Sequence, residues 1–323
     1  MDFNFLYKVR HENPQSLSET TDFDIFFSSY NKSDRLKSTY EGIRASRKIW
    51  IIHHEYNFSD NDLPKGQEYF LFKKEFSESQ NIRSFFSEIL GDETKKLEDT
   101  RIAIDCTGMM RPDLLFLMLY LKAIIKKNKF DIFYSEPKRY IDSEETKFST
   151  DTTGRVKVVE GFDRSSSRDH SNDLLIIASG FDDVLIAEVA EARKSARKIQ
   201  IIGFPSLQAD MYQQNILRAS KATEVDDEDS NKVYFSPASD PFETANTLCR
   251  IVSDEENKKP ITNLYLSPLS TKSQTVGFAL FYINECILSD RDASIIIPET
   301  TGYSEKTSEG IDHIWQYTIE FET

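Results

Sequence analysis

Cysteine is scarce in this 323-residue chain, which holds only Cys106, Cys249 and Cys286. Their odd number and the lack of CxxC spacing speak against a disulfide framework and for buried thiols in a reducing, cytoplasmic setting. Long apolar runs are also lacking. The longest, Leu114 to Ile125, covers 12 residues and is broken by Lys122, whereas a membrane span needs about 20; a buried helix is expected there. No apolar run precedes the polar residues at His11, so no signal peptide is expected. Positive charge is short as well. With 40 Lys and Arg against 54 Asp and Glu, the net charge is -14 and the pI near 5.0. Such a surface repels phosphate backbones and anionic lipids, so neither nucleic-acid nor membrane binding is expected.

What is present is ample core material. Hydrophobic residues make up 39%, with 23 Phe and 14 Tyr, which excludes wholesale disorder. The length suits two α/β units of roughly 150 residues each.

The chain also repeats itself. Phe23–Phe27 reads as a strand, 33–45 as a helix with Ser33 as N-cap, and Lys48–Ile52 as a buried strand. Leu174–Ile177, 184–196 and Arg197–Ile202 write the same sentence. Arg47-Lys48-Ile49-x-Ile51-Ile52 matches Arg197-Lys198-Ile199-x-Ile201-Ile202 at a shift of 150, and Ser29 falls on Ser179. Downstream, strands at 69–72 and 233–235 lead to helices at 79–90 and 242–252. Strands at 101–105 and 263–266 follow, then helices at 112–126 and 273–288 and strands at 131–134 and 294–297. Gly154 with 156–159 and Gly310 with 314–319 read as the closing strand of each half. Strand–helix alternation of this kind predicts an α/β chain of two similar doubly wound, Rossmann-like halves with mainly parallel sheets, related by a pseudo-twofold. The expected division is 1–162, a polar linker at 163–172, and 173–323. Asp226–Ser230 reads as an acidic surface loop.

Ligands of such folds sit at the carboxyl ends of the strands. The loop Ser267–Thr275 lies there, and Ser270, Thr271, Lys272 and Gln274 surround a helix N-terminus that favours a phosphate or carboxylate. It lacks P-loop spacing, and the same hydroxyls also read as helix caps. Its counterpart carries Asp105, Thr107, Gly108 and Arg111, with Pro112 suited to a first helical turn. Here Arg111 is the anion-holding candidate, against a local salt bridge. Glu136 and Glu299 each follow a strand and precede a tyrosine by four residues, Tyr140 and Tyr303. With Asp105 they are the acid–base candidates, against plain solvated strand ends. His53 and His54 point to opposite faces of a strand, so no metal site is expected, and no cofactor motif is recognised. Lys126-Lys127-Asn128-Lys129 reads as the basic end of a helix.

Two resemblances bear on function. Asp24-Ile25-Phe26-Phe27-Ser28-Ser29-Tyr30 resembles the opening box of Toll/interleukin-receptor domains, and Glu41–Lys48 resembles a later segment of them. That likeness implies an NADase. The intervening strand and loop, which help form the NAD-cleaving site of that family, have no place between these segments. Ile104–Leu121 and Ser267–Phe281 resemble uncharacterised bacterial proteins with duplicated Rossmann-like halves. This likeness spans most of the chain and implies an anti-phage defence or mobile-element setting. The expectation is thus a nucleotide-like anion site in a ligand-binding, regulatory or assembly subunit, with protein partners or self-association. The alternatives are an enzyme of nucleotides or sugar phosphates and a purely structural subunit.

Overall fold

In the computed structural model the described residues are all except 1–2, 4–5, 20–21, 92–96, 98–99, 126–128, 141–148, 165–166, 208–230, 304–307 and 322–323. The basic stretch at 126–128, part of the expected linker and the acidic loop 226–230 lie outside them.

The elements run β1 (Tyr7–His11), β2 (Phe23–Ser29), α1 (Asp34–Gly42), β3 (Ala45–Ile52), β4 (Glu68–Leu71), α2 (Glu78–Leu90), β5 (Ile102–Asp105), α3 (Arg111–Ile124), β6 (Lys129–Tyr140) and β7 (Ser149–Asp163). They continue with β8 (Leu174–Ser179), α4 (Asp183–Ala192), β9 (Arg197–Gly203), β10 (Asn231–Ser236), α5 (Pro241–Lys258), β11 (Leu264–Pro268), α6 (Lys272–Phe281), β12 (Ala293–Tyr303) and β13 (Ser308–Glu320).

Two sheets result. The first has the order β1-β13-β6-β5-β2-β3-β4 and the second β10-β9-β8-β11-β12-β7. Within each, five strands are parallel. Taken in chain order, those five stand 3-2-1-4-5 in both sheets, which is the doubly wound, Rossmann-like arrangement. The central strands are covered on both faces: Leu174–Ser179 is buried at every position, as is Ile102–Asp105. In the first unit Phe26, Leu36, Tyr40, Trp50, Ile52 and Phe133 form the core on the α1 side. Tyr40 stacks on Trp50 at 3.8 Å.

The chain divides into Leu6–Thr146 with Gly302–Thr323, and Lys147–Thr301 with Met1–Phe5. This differs from the expected boundary at 162. The strand at 156–159 closes the second sheet as part of β7, and that at 314–319 closes the first as part of β13. A closing strand joins whichever edge offers free backbone groups, and sequence order does not dictate which. β13 runs antiparallel to β6 over most of its length, with a register shift between Ile311 and Ile314. β1 pairs antiparallel with β13 at the sheet edge.

The retained Arg-Lys-Ile-x-Ile-Ile phrase has a structural cause. Lys48 Nζ donates to the carbonyls of Tyr40 and Glu41, which end α1. Lys198 Nζ donates to those of Lys194 and Ala196, after α4. Lys48 thus satisfies orphan carbonyls at the end of α1 and complements its dipole, while Lys198 satisfies carbonyls of the turn that leads from α4 to β9.

Candidate functional site

The crevice outside the carboxyl ends of β2 and β5 is the topological switch point of the first sheet. Ser28 and Ser29 end β2, and Asp105 ends β5. Asp105 is 0% exposed. Ser28 Oγ donates to it at 3.1 Å and the Thr107 amide at 2.9 Å. Burial pushes its carboxyl up to about 6, against the opposing pull of those bonds and of Arg35. Thr107 Oγ1 is taken by the Ser135 amide at 2.9 Å. Arg35, in the first turn of α1, donates from Nη1 to the Ser135 carbonyl at 2.8 Å. Its buried Nε has no hydrogen-bond partner among the described residues. Arg35 also acts electrostatically on Tyr56, Tyr134 and Tyr140, whose hydroxyls burial pushes above their ordinary range.

Beside Asp105 runs a chain of Ser29, His53 and Asp113. Ser29 Oγ is 2.7 Å from His53 Nε2, and His53 Nδ1 is 3.0 Å from Asp113 Oδ2. The order is that of a serine hydrolase, but Ser29 has no exposed surface. Gly108 lies over it so closely that a Cβ there would stand 3.1 Å from the Ser29 carbonyl oxygen and 2.7 Å from Leu36 Cδ1. A nucleophile needs room for its substrate, so the Ser29–His53 bond is a buried tie between β2 and the residue after β3, with the Asp113 carboxylate close to the far ring nitrogen.

The expected site of the second unit is built differently. Thr271 is the N-cap of α6 and accepts from the Gln274 amide at 3.2 Å. Its hydroxyl donates to the Ala238 carbonyl. The Gln274 side chain turns inward to the Ser236 carbonyl at 3.4 Å. Ser267 Oγ donates to the Ile296 carbonyl at 2.8 Å. Across the switch point, a Cβ at Gly180 would collide with the Leu269 carbonyl oxygen. The hydroxyls thus serve caps and loop closure, and the loops after β8 and β11 meet backbone to backbone.

Both α3 and α6 begin with a cation, Arg111 and Lys272, a placement that opposes the helix dipole. Lys272 is only 9% exposed. At the other helix of each crevice the units part. α1 carries Arg35 in its first turn beside the exposed Asp34. α4 has Asp182 as N-cap and Asp183 in its first turn, with Leu185 at the position 150 after Arg35.

Glu136 and Glu299 do not form a matched pair. Glu136, 4% exposed, accepts from Trp315 Nε1 at 2.8 Å and lies 3.0 Å from His313 Nε2. Glu299 is half-buried and accepts from Thr153 Oγ1 at 3.3 Å. Glu136, Asp312 and His313 have donor atoms within 4.8 Å of one another. His53 turns into the core, while His54 lies beside Glu55 at 3.4 Å. The sequence reading missed Arg35, the His53–Asp113 contact and the His313 cluster. An arginine just inside a helix that follows a parallel strand was a readable signal; the pairings across 60 and 177 residues were not.

No family model matches the chain, and no curated protein matches it. One solved structure is similar, the crystal structure of an N-terminal ketoreductase from a macrolactin assembly line. The identity is 10% over 91% of this chain and 90% of that one, with a TM-score of 0.21.

Proposed function

We propose that the chain is a ligand-binding module that holds a small anionic, nucleotide-like molecule in the crevice between the N-termini of α1 and α3. One observation carries this reading: both helices flanking the first switch point present an arginine, Arg35 and Arg111. The second crevice sets Asp182 and Asp183 against Lys272. Helix N-termini already favour an anion, and a guanidinium group suits a phosphate or carboxylate. The β2–α1 loop, Tyr30-Asn31-Lys32-Ser33, has no glycine on which a pyrophosphate could lie against the backbone. A mononucleotide, sugar phosphate or single carboxylate therefore suits it better than a dinucleotide. Because Asp105 and Ser29 are fully buried, the reading is binding rather than turnover.

Thermal-shift screening of AMP, ATP, NAD, glucose 6-phosphate and inorganic phosphate tests it. At a hundredfold excess over Kd a ligand raises Tm by roughly 5–10 °C. No shift with any of them contradicts the small-ligand reading. Protein partners and a defence or mobile-element setting belong to the same proposal. Purification from the native operon tests them, and a chain that emerges alone contradicts them.

A second reading rests on Asp105, whose carboxyl sits at about 6, the range of a working acid or base. Turnover of NAD or a nucleotide, following a group near that value and lost in Asp105→Asn, would move the assignment from binding to catalysis.

A further inference from the structure

His313 is held by a carboxylate on each side of its ring. Nε2 lies 3.0 Å from Glu136 Oε2 on β6, and Nδ1 lies 2.6 Å from Asp312 Oδ2. A neutral imidazole has one donor only, so a ring that meets an acceptor at both nitrogens carries a proton on each. With both nitrogens so engaged, Glu136, Asp312 and His313 form an imidazolium clasp rather than a metal-ligand set. The clasp sits where the β6–β13 ladder is broken, between Ile311 and Ile314. β13 in turn is the strand that attaches β1, so two strands from opposite ends of the chain join the parallel sheet through this ladder.

We propose that His313 is a pH-operated latch: as imidazolium it clasps β13 to β6, and on losing a proton it gives up one carboxylate and lets the β13–β1 ribbon open locally. This does not depend on the ligand reading. The direction of the effect follows from the surroundings. Burial pushes the His313 imidazole down, but the bonds to Glu136 and Asp312 outweigh it, and the net shift is above the ordinary 6.5. Stability from a group raised in this way is complete below 6.5 and is lost as pH rises through the folded-state value. The groups facing His313 are Glu136 on β6, Asp312 on its own strand and Arg10 on β1. Lys8 of β1 lies over the neighbouring Trp315 ring at 5.9 Å. From α1, which packs near Ile311 and Ile314, Arg35 is bonded to the Ser135 carbonyl. Carboxylates, arginines and lysines ordinarily keep constant charge between about pH 6 and 9, which leaves the imidazoles: His313, and on β1 His11, which pairs with Ile314 and meets Gln316 Oε1 at 2.9 Å. The His313→Gln variant separates the two.

The test is an NMR titration of the His313 ring in the full chain, with amide-exchange protection of β1 and β13 measured from about pH 6 to 9. Wild type, His313→Gln and Asp312→Asn are compared. The ring should titrate above 6.5, and protection of Ile314–Ile319 should fall by about tenfold for each unit of that excess. In His313→Gln, which keeps a neutral donor, this loss should vanish. Asp312 is exposed, so Asp312→Asn should fold normally, with the midpoint and the loss of protection both moved to lower pH. A ring titrating at or below 6.5, equal pH profiles in wild type and His313→Gln, or an unmoved midpoint in Asp312→Asn would each overturn the latch.

Discussion

In the unit Leu6–Thr146, Arg47 meets Glu68 of the edge strand, with both side chains partly exposed. In Lys147–Thr301 the matching Arg197 reaches Glu255 on α5, a fully buried carboxylate that also takes Lys232 and Lys258. The same arginine thus serves a solvent-screened pair in one unit and a buried network in the other. The crevices show the opposite contrast. The second is closed backbone to backbone at Gly180, while the first keeps arginines on both flanking helices. The two units share one strand order, and they differ in where their charge is placed: inside the fold of one, beside the switch point of the other.

The largest expected effect breaks this comparison at the arginines. Burial pushes Glu255 up, but bonds from Lys258, Arg197 and Lys232 win and hold it at about 2. Its contribution is complete above 4.5 and is lost as pH falls from there through about 2. Glu255→Gln should cost about 3 to 4 kcal/mol near neutral pH, and Glu68→Gln less than about 1. Urea denaturation reads both; equal losses would erase the difference between the units.

Next comes the end of the fourth parallel strand, Asp105 in one unit and Ser267-Pro268 in the other. Asp105 is raised from 3.8 to about 6. A carboxyl raised on folding stabilises below the lower value and loses that contribution as pH rises through the upper one. The loss should approach about 3 kcal/mol by pH 7. Asp105→Asn should flatten stability against pH between about 4 and 7, and Ser267→Ala should leave that slope alone. An unchanged slope in Asp105→Asn would place the pH dependence elsewhere.

The two crevice glycines sharpen the contrast further. Gly180→Ala drives a methyl onto the Leu269 backbone, whereas Gly108→Ala first meets the Leu36 side chain, which can swing. Calorimetry should show a loss of about 2 kcal/mol for the first and about 1 for the second. The reverse order would mean that the first crevice is the tighter.

Much of this was legible in the sequence. Buried parallel strands announce themselves as unbroken apolar runs, and the Ser33 cap and the duplicated phrase were readable at once. β1, Tyr-Lys-Val-Arg-His, was not, because an edge strand of mixed character forms only when β13 offers a ladder. β6, β7, β12 and β13 run far beyond their apolar centres for the same reason. The site was half legible. Asp105, Thr107 and Arg111 do gather at the first switch point. Thr271 and Gln274 were chosen for hydroxyl and amide chemistry that the structure spends on capping and on the Ser236 carbonyl. A single sequence shows which groups stand near a helix start, and it does not show which of them the neighbouring loop consumes.

The central claim is that the anion site belongs to the Leu6–Thr146 unit, and isothermal titration of the screened ligand into Arg35→Gln and Lys272→Gln tests it most directly. Losing a charged hydrogen-bond donor costs about 1.5 to 3 kcal/mol. Arg35→Gln should therefore weaken binding by roughly ten- to a hundredfold. Lys272→Gln should stay within about twofold of wild type, under about 0.5 kcal/mol. Full affinity in Arg35→Gln together with its loss in Lys272→Gln would contradict the account and move the site to the second crevice.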